Sequence, residues 1–234
     1  MFTPARRRGS ETLDDPNADA ALSLRSLRDV ALANRLFGGK RAVLVELGKL
    51  LRANPVGGTL TMLDVGTGLG DIPAAAAQLA AARGVHLRAI GLERAPQLAS
   101  AAAKQCHHAV AGDAMMLPFA DGAVNIVICS QVLHHFDGAD AIRLLQECTR
   151  VARTAVIVGD LRRSWLAVAG LWLSSFVLGF HPVSRHDGVV SVLRGYTAAE
   201  LRVLVREATG CHCKVSSGWG FRLSAIWTPS IRHS

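Results

Sequence analysis

Leu63-Asp64-Val65-Gly66-Thr67-Gly68-Leu69-Gly70-Asp71 packs a strand end, a glycine turn and a helix start into one short stretch. Thr61 to Val65 has the apolar run of a buried strand, and Ile72 to Arg83 is an alanine-rich helix stopped by Gly84. The glycines let the chain turn tightly and let a ligand approach the backbone amides. A dinucleotide loop needs a small residue three positions after Gly68. Asp71 stands there instead, and an anion at that point repels a pyrophosphate. Asp64 closes the strand. A carboxylate in that place holds an ammonium through charge-assisted hydrogen bonds, so the loop suits a cationic ligand without phosphate.

Outward from this turn, short apolar runs alternate with helical stretches. Val85 to Leu92, His108 to Ala111, Val124 to Cys129 and Thr154 to Gly159 read as strands. Helices are expected from Pro96 to Cys106 and from Gly138 to Val151. That alternation specifies parallel strands with crossover helices, an α/β doubly wound sheet. Thr197-Ala198-Ala199-Glu200 is a capping box opening a helix that Gly210 ends. Val215 to Ser217 and Leu223 to Trp227 then form a C-terminal antiparallel hairpin, which brings the sheet to seven strands. Before the glycine turn, Leu24, Leu27, Val30, Ala31 and Leu36 recur at helical steps until Gly38-Gly39. A second helix runs from Lys40 to about Arg52, ended by Asn54-Pro55.

Half of the 234 residues are apolar and only 19% are charged, which excludes wholesale disorder. Five cysteines without paired spacing exclude a disulfide scaffold and fit reduced thiols in a cytoplasmic chain. Cys211-His212-Cys213 has metal-ligand residue types, but a zinc site needs about four ligands and no second cysteine pair exists, so no metal is expected. The net charge is +8. Its arginines are scattered apart from Arg6-Arg7-Arg8 and Arg162-Arg163, so nucleic acid is not favoured as a partner. The polar start from Met1 to Asp19 carries no secretory signal. Trp165 to Phe180 is apolar except for Ser174 and Ser175, and falls short of the roughly 20 residues of a spanning helix. Three readings stay open for it: a core helix, a cover over an apolar ligand, or peripheral contact with a membrane through 165–180. Arg162-Arg163 before it and Arg185 after it are placed to meet anionic head groups.

The glycine stretch resembles the first motif of class I S-adenosylmethionine (SAM)-dependent methyltransferases, and the segments after it agree. Gly91-Leu92-Glu93, Gly112-Asp113-Ala114, Leu117-Pro118-Phe119 with Asp121, and Ser130-Gln131-Val132-Leu133-His134-His135-Phe136 follow in the family's order. The resemblance is tight over about 59–160 and loose elsewhere. It implies a Rossmann-like methyltransferase fold with SAM as cofactor. Asp64, Gly66, Gly68 and Gly70 would hold the methionine end, with Thr67 and Asp71 also cofactor-binding, and Glu93, with Arg94 beside it, the ribose. Asp113, Ala114 and Met115 would take the adenine, and Ser130 and Gln131 would line the same pocket. The organisation implied is a disordered tail over 1–20, a helical cap over 21–58, and a SAM-binding domain over 59–234 with an acceptor-covering insertion at 161–196.

Methyl transfer needs an aligned acceptor and, for many acceptors, a base. Histidine titrates near neutrality. His134 and His135 lie just past the fourth strand, where ligands gather in open α/β sheets, and His186 lies in the insertion. These three are the candidate catalytic residues. Asp160 could orient one of them or pair with an arginine. "Ser-Leu-Arg-Asp", "Gly-Asp-Leu-Arg-Arg-Ser" and "Arg-His-Asp-Gly" are similar to bacterial methyltransferases that accompany type III polyketide synthases. That similarity implies O-methylation of a small lipophilic phenol or polyketide-type hydroxyl, in secondary metabolism. C-methylation of a quinone precursor, a nicotinamide oxidoreductase and a non-catalytic SAM- or lipid-binding module are the alternatives. Oligomeric state is left open.

Overall fold

The computed structural model describes residues 3–7, 9, 11, 12, 19–53 and 58–230. Two helices, α1 (Ala20–Leu36) and α2 (Gly39–Ala53), precede β1 (Gly58–Val65), α3 (Asp71–Ala81), β2 (Val85–Glu93), α4 (Pro96–Ala102) and β3 (His108–Ala111). Then come β4 (Val124–Ser130), a 3-10 turn at Leu133–His135, α5 (Gly138–Val151) and β5 (Ala152–Leu161). The chain continues through α6 (Trp165–Val177), α7 (Pro182–Arg194), α8 (Ala198–Thr209), β6 (Lys214–Gly218) and β7 (Arg222–Trp227). The helix terminator expected at Asn54-Pro55 lies outside the described residues.

The seven strands form one sheet in the order β3-β2-β1-β4-β5-β7-β6. The first five are parallel, and β7 runs antiparallel to both β5 and β6. Alternate residues sort onto two faces. Met62, Ile126, Ile128 and Ile157 meet α2 and α3, and Leu63, Val127, Cys129, Val156 and Val158 meet α5 and α8. Because both faces are covered, β4 is apolar almost throughout, as a central parallel strand must be. Thr197 and Glu200 form the expected capping box, and Gly210 takes a positive φ at the end of α8.

Two expectations are refined. The helix read in the apolar run 165–180 stops at Val177, and His186-Asp187-Gly188, placed only within the insertion, lies inside a further helix, α7. Ser164 caps α6 by accepting from the Leu166 amide, Gly179 breaks the run with φ 64°, and Pro182 starts α7. Gly188 sits inside α7 because its bare Cα makes room for Leu171. A Cβ there would come within 2.9 Å of Leu171 Cδ2. A lone glycine signals a break in a sequence, and packing overrides it here.

The segment 1–20, expected to be disordered, is tied down where it is described. Arg6 lies 4.1 Å over the Tyr196 ring and donates to the carbonyls of Arg194 and Phe136. The Pro4 carbonyl accepts from buried Arg163, and Thr12 donates through its amide and hydroxyl to Asp187 Oδ1. Composition counts these arginines as solvated charge, but their stems and planes pack.

Candidate functional site

At the ends of β1 and β4 the strand order reverses, and crevices of this kind hold ligands in open α/β sheets. Gly66, Gly68 and Gly70 carry φ of 69°, 56° and 78° in the turn after β1. A Cβ on Gly66 would fall 2.4 Å from Val132 Cγ2, so the space beside the turn is already taken. Asp64 is buried under it. Its Oδ2 accepts from the Thr67 hydroxyl at 2.8 Å, while its Oδ1 is buried without a hydrogen-bond partner. Burial pushes the Asp64 carboxyl up to about 8; the Thr67 hydrogen bond opposes this and the charges of Asp71 and Glu93 add to it. Burial also raises Asp71, against the pull of Lys40 at 3.8 Å. Glu93, at the end of β2, accepts from the amides of Gly68 and Arg94. Three carboxylates thus surround one turn, and the most buried of them has one oxygen without a donor.

The remaining residues expected on this side spread along the same edge. Asp113 is exposed and accepts from the Met115 amide, and the Arg94 side chain is exposed. Ala114 and Met115 pack against the core near Leu117. Arg150 fixes that segment by donating to the Leu117 and Phe119 carbonyls and to Asp121. Ser130 Oγ and Gln131 Nε2 are buried without partners, and Gln131 holds φ 61°, unusual for a side chain of its size.

Facing them is a cavity of about 100 Å³ lined by Glu11, Asn34, His134, His135, Leu171 and Arg222, among others. His134 is buried in the 3-10 turn. Asp160 Oδ2 accepts from its amide at 2.9 Å, and Asp160 Oδ1 lies 2.7 Å from its Nδ1. Burial alone would raise Asp160, but the His134 charge and hydrogen bonds hold it below the usual carboxylate range. An ionised Asp160 only accepts, so Nδ1 carries a proton toward it, while Nε2 faces Glu11 Oε1 at 3.6 Å. Of the two parts open for Asp160, the contacts with His134 match the first, and the buried Arg222 also lies within reach of its charge.

His186 is not brought to this cavity. It is exposed on α7, with Nδ1 3.0 Å from Asp187. Reading the sequence missed Glu11 and Arg222. Glu11 Oε1 accepts from Ser191 and lies 3.6 Å from His134 Nε2, 3.9 Å from His135 Nδ1 and 3.6 Å from Arg194 Nη1. Arg222 donates to Gln131 Oε1 and the Phe37 carbonyl, and burial lowers it to about 10. No local signal marks either residue. Glu11, His134 and His135 bring three groups able to ligate a metal within 4.8 Å of one another, and the Arg194 guanidinium faces the same carboxylate oxygen at 3.6 Å.

Residues 63–158 match the family model described as a methyltransferase domain. The chain is 34% identical over 146 residues to an uncharacterized methyltransferase of Mycolicibacterium gilvum, a match covering 60% of this chain and 49% of that protein. The chain therefore spans about half the length of the curated relative it matches. Among solved structures, a putative O-methyltransferase from Nostoc punctiforme is 18% identical with a TM-score of 0.64, over 95% of this chain and 64% of that one. A SAM-dependent methyltransferase from Aquifex aeolicus is 15% identical with a TM-score of 0.57, over 86% and 98%. A magnesium protoporphyrin IX methyltransferase from Synechocystis, solved with S-adenosylhomocysteine (SAH), is 16% identical with a TM-score of 0.55, over 82% and 84%. The fold is the Rossmann-like one of SAM-dependent methyltransferases.

Proposed function

We propose that this chain is a SAM-dependent methyltransferase acting on a small, apolar, hydroxylated acceptor. The observation that carries the reading is buried Asp64, with one oxygen unpartnered beside the glycine turn, inside the segment that matches the methyltransferase domain. The fit to SAM is chemical. An ammonium supplies the donor that Asp64 Oδ1 lacks and draws the carboxyl back to its ionised form. Ribose hydroxyls suit Glu93, whose carboxylate accepts two donors. Ser130 Oγ and Gln131 Nε2 are two further buried polar atoms ready for a ligand.

When bound, SAM supplies an activated methyl group for in-line displacement. The protein's own part is alignment and proton removal. Asp160 fixes His134 through one contact to its backbone amide and one to its ring Nδ1, and Nε2 takes the acceptor's proton toward the cavity. Leu171 and Phe180 give the cavity an apolar wall, which favours a lipophilic phenol or polyketide-type hydroxyl over a charged acceptor. His135 and Glu11 complete the polar rim. Asp71, which stands where a dinucleotide loop needs glycine, weighs against the nicotinamide alternative.

The test is calorimetric titration with SAH, with NADH run in parallel. Micromolar SAH affinity that Asp64→Asn lowers by about 100-fold is the expected result. A folded protein that binds NADH and not SAH would refute the reading.

A further inference from the structure

A helix at a protein surface normally hides its large apolar side chains and shows its polar ones. Helix α6 does the opposite. It has no charged residue, it buries Ala167 and Ser175, and it leaves Trp165, Leu166, Trp172, Leu173, Phe176 and Val177 between 46% and 87% exposed. Positions 165/166, 169, 172/173 and 176/177 recur at helical spacing, so these side chains form one stripe along the whole helix. Ala169 and Gly170, also exposed, continue it. Among the described residues nothing covers this stripe. Apolar side chains scattered singly over a surface need no explanation, but a continuous patch of this kind marks a docking face.

Charge identifies the occupant. Between Leu161 and His186 the sequence contains no acid. Arginines stand at both ends of the stripe. The Arg7 guanidinium lies 5.9 Å from the Trp165 ring centre at the start of α6. At its end Arg185 lies 3.6 Å over Phe176, and exposed Arg25, paired with Asp29 at 3.4 Å, donates to the Gly179 carbonyl. A second copy of this +8 chain would bring the same cations against these, whereas an anionic bilayer brings the opposite charge. Two tryptophans in the stripe suit the boundary between head groups and acyl chains. The helix is about 20 Å long. No helix among the described residues is long and apolar enough to cross a membrane.

We infer that α6 lies in the plane of an anionic lipid surface, its apolar stripe sunk among the acyl chains and Arg7, Arg25 and Arg185 on the head groups. The depth expected for such a helix is about 5–10 Å. The other side of α6 carries Leu171, which lines the cavity with His134, His135 and Phe180. The helix that docks is therefore also a wall of the acceptor cavity, and a lipophilic acceptor reaches the histidines from the lipid phase. Acceptor delivery rests on the methyl-transfer reading; docking itself does not.

The experiment is co-sedimentation of the full chain with vesicles of phosphatidylcholine alone and of phosphatidylcholine with phosphatidylglycerol, at low and high salt. Partitioning onto the anionic vesicles is expected at least about tenfold above neutral ones, falling as salt rises. A Trp172→Ser/Leu173→Ser double variant lowers it at least about tenfold, and Arg25→Ser or Arg185→Ser by about fivefold each. The double variant keeps its thermal transition and its SAH affinity. No binding to anionic vesicles, or binding that the double variant leaves unchanged, overturns the inference. So does a stable dimer in sedimentation equilibrium that the double variant dissolves, which would make the stripe an interface between copies. Vesicle binding without SAH affinity would leave docking standing and remove the methyltransferase reading alone.

Discussion

Asp64, Thr67, Gly68 and Glu93 meet through two adjacent strands and the turn that follows the first, whereas Glu11, His134, Asp160, Ser191 and Arg222 meet only because five distant segments converge. The first group is held by neighbouring backbone and tolerates little change in the turn itself. The second is held by side chains reaching across the sheet edge. Arg194 donates to the His134 and His135 carbonyls, and Arg222 to Gln131. If the division is real, the two groups separate in experiment. Substitutions in the first change cofactor affinity, and substitutions in the second change turnover or acceptor affinity and leave the cofactor in place.

The largest separation is expected at His134. His134→Gln keeps a donor toward Asp160 but removes the base, and lowers kcat for methyl transfer by about 10²–10⁴-fold. SAH affinity by calorimetry stays within about threefold of the parent. A fall in both together would merge the two groups.

Next is Asp64. Asp64→Asn lowers SAH affinity by about 100-fold, the loss of a charge-assisted contact to an ammonium. With Asp64 raised to about 8, ligand binding near pH 7 drives a proton off it. The observed binding heat then depends on the ionisation enthalpy of the buffer, and affinity climbs as pH approaches 8. A buffer-independent heat would break this account.

A smaller effect is expected at Glu11. Glu11→Gln leaves SAH affinity unchanged and raises the acceptor KM by about tenfold, because the variant keeps the contact with Ser191 and loses the charge facing the histidines. Saturation curves in both substrates distinguish this from a general loss.

The smallest is a stability change with a definite sign. An acid whose folded pKa is raised contributes its full stability only below its unfolded pKa, and loses it as pH rises through the folded value. Asp64→Asn has no such loss. Ligand-free variant therefore melts higher than the parent at pH 8, by about 1–3 kcal/mol in stability, and the gap narrows toward pH 4. Denaturant melts across that range check it.

This contrast also explains what could be read in the chain. The sheet, the capping box of α8 and the terminal hairpin are written in contiguous patterns of period two, period 3.6 and glycine, so they were legible. The residues of the glycine turn were legible for the same reason, and His134, His135 and Asp160 were legible as strand-end positions. Glu11 was not. It lies in a stretch whose composition reads as solvated, and only the Ser191 and Arg194 contacts across the fold give it a place. Arg222 sits in a strand with no polar motif around it. The inverted face of α6 was half legible. Its apolarity is plain in sequence, but which side faces out depends on how α7 packs against it, and Gly188 hid α7.

The position of β7 gives the protein an order of assembly. Strands β1, β2, β3 and β4 and the glycine turn are complete by Ser130, and a chain emerging from the ribosome builds from its N-terminal end. Arg222 arrives after all of these, on a strand that slots antiparallel between β5 and β6. On the proposed function, nascent chains gain the cofactor turn well before they gain the acceptor cavity. Chains stalled near the end of α8 should retain SAH on a filter and fail to show any acceptor-dependent change in that retention.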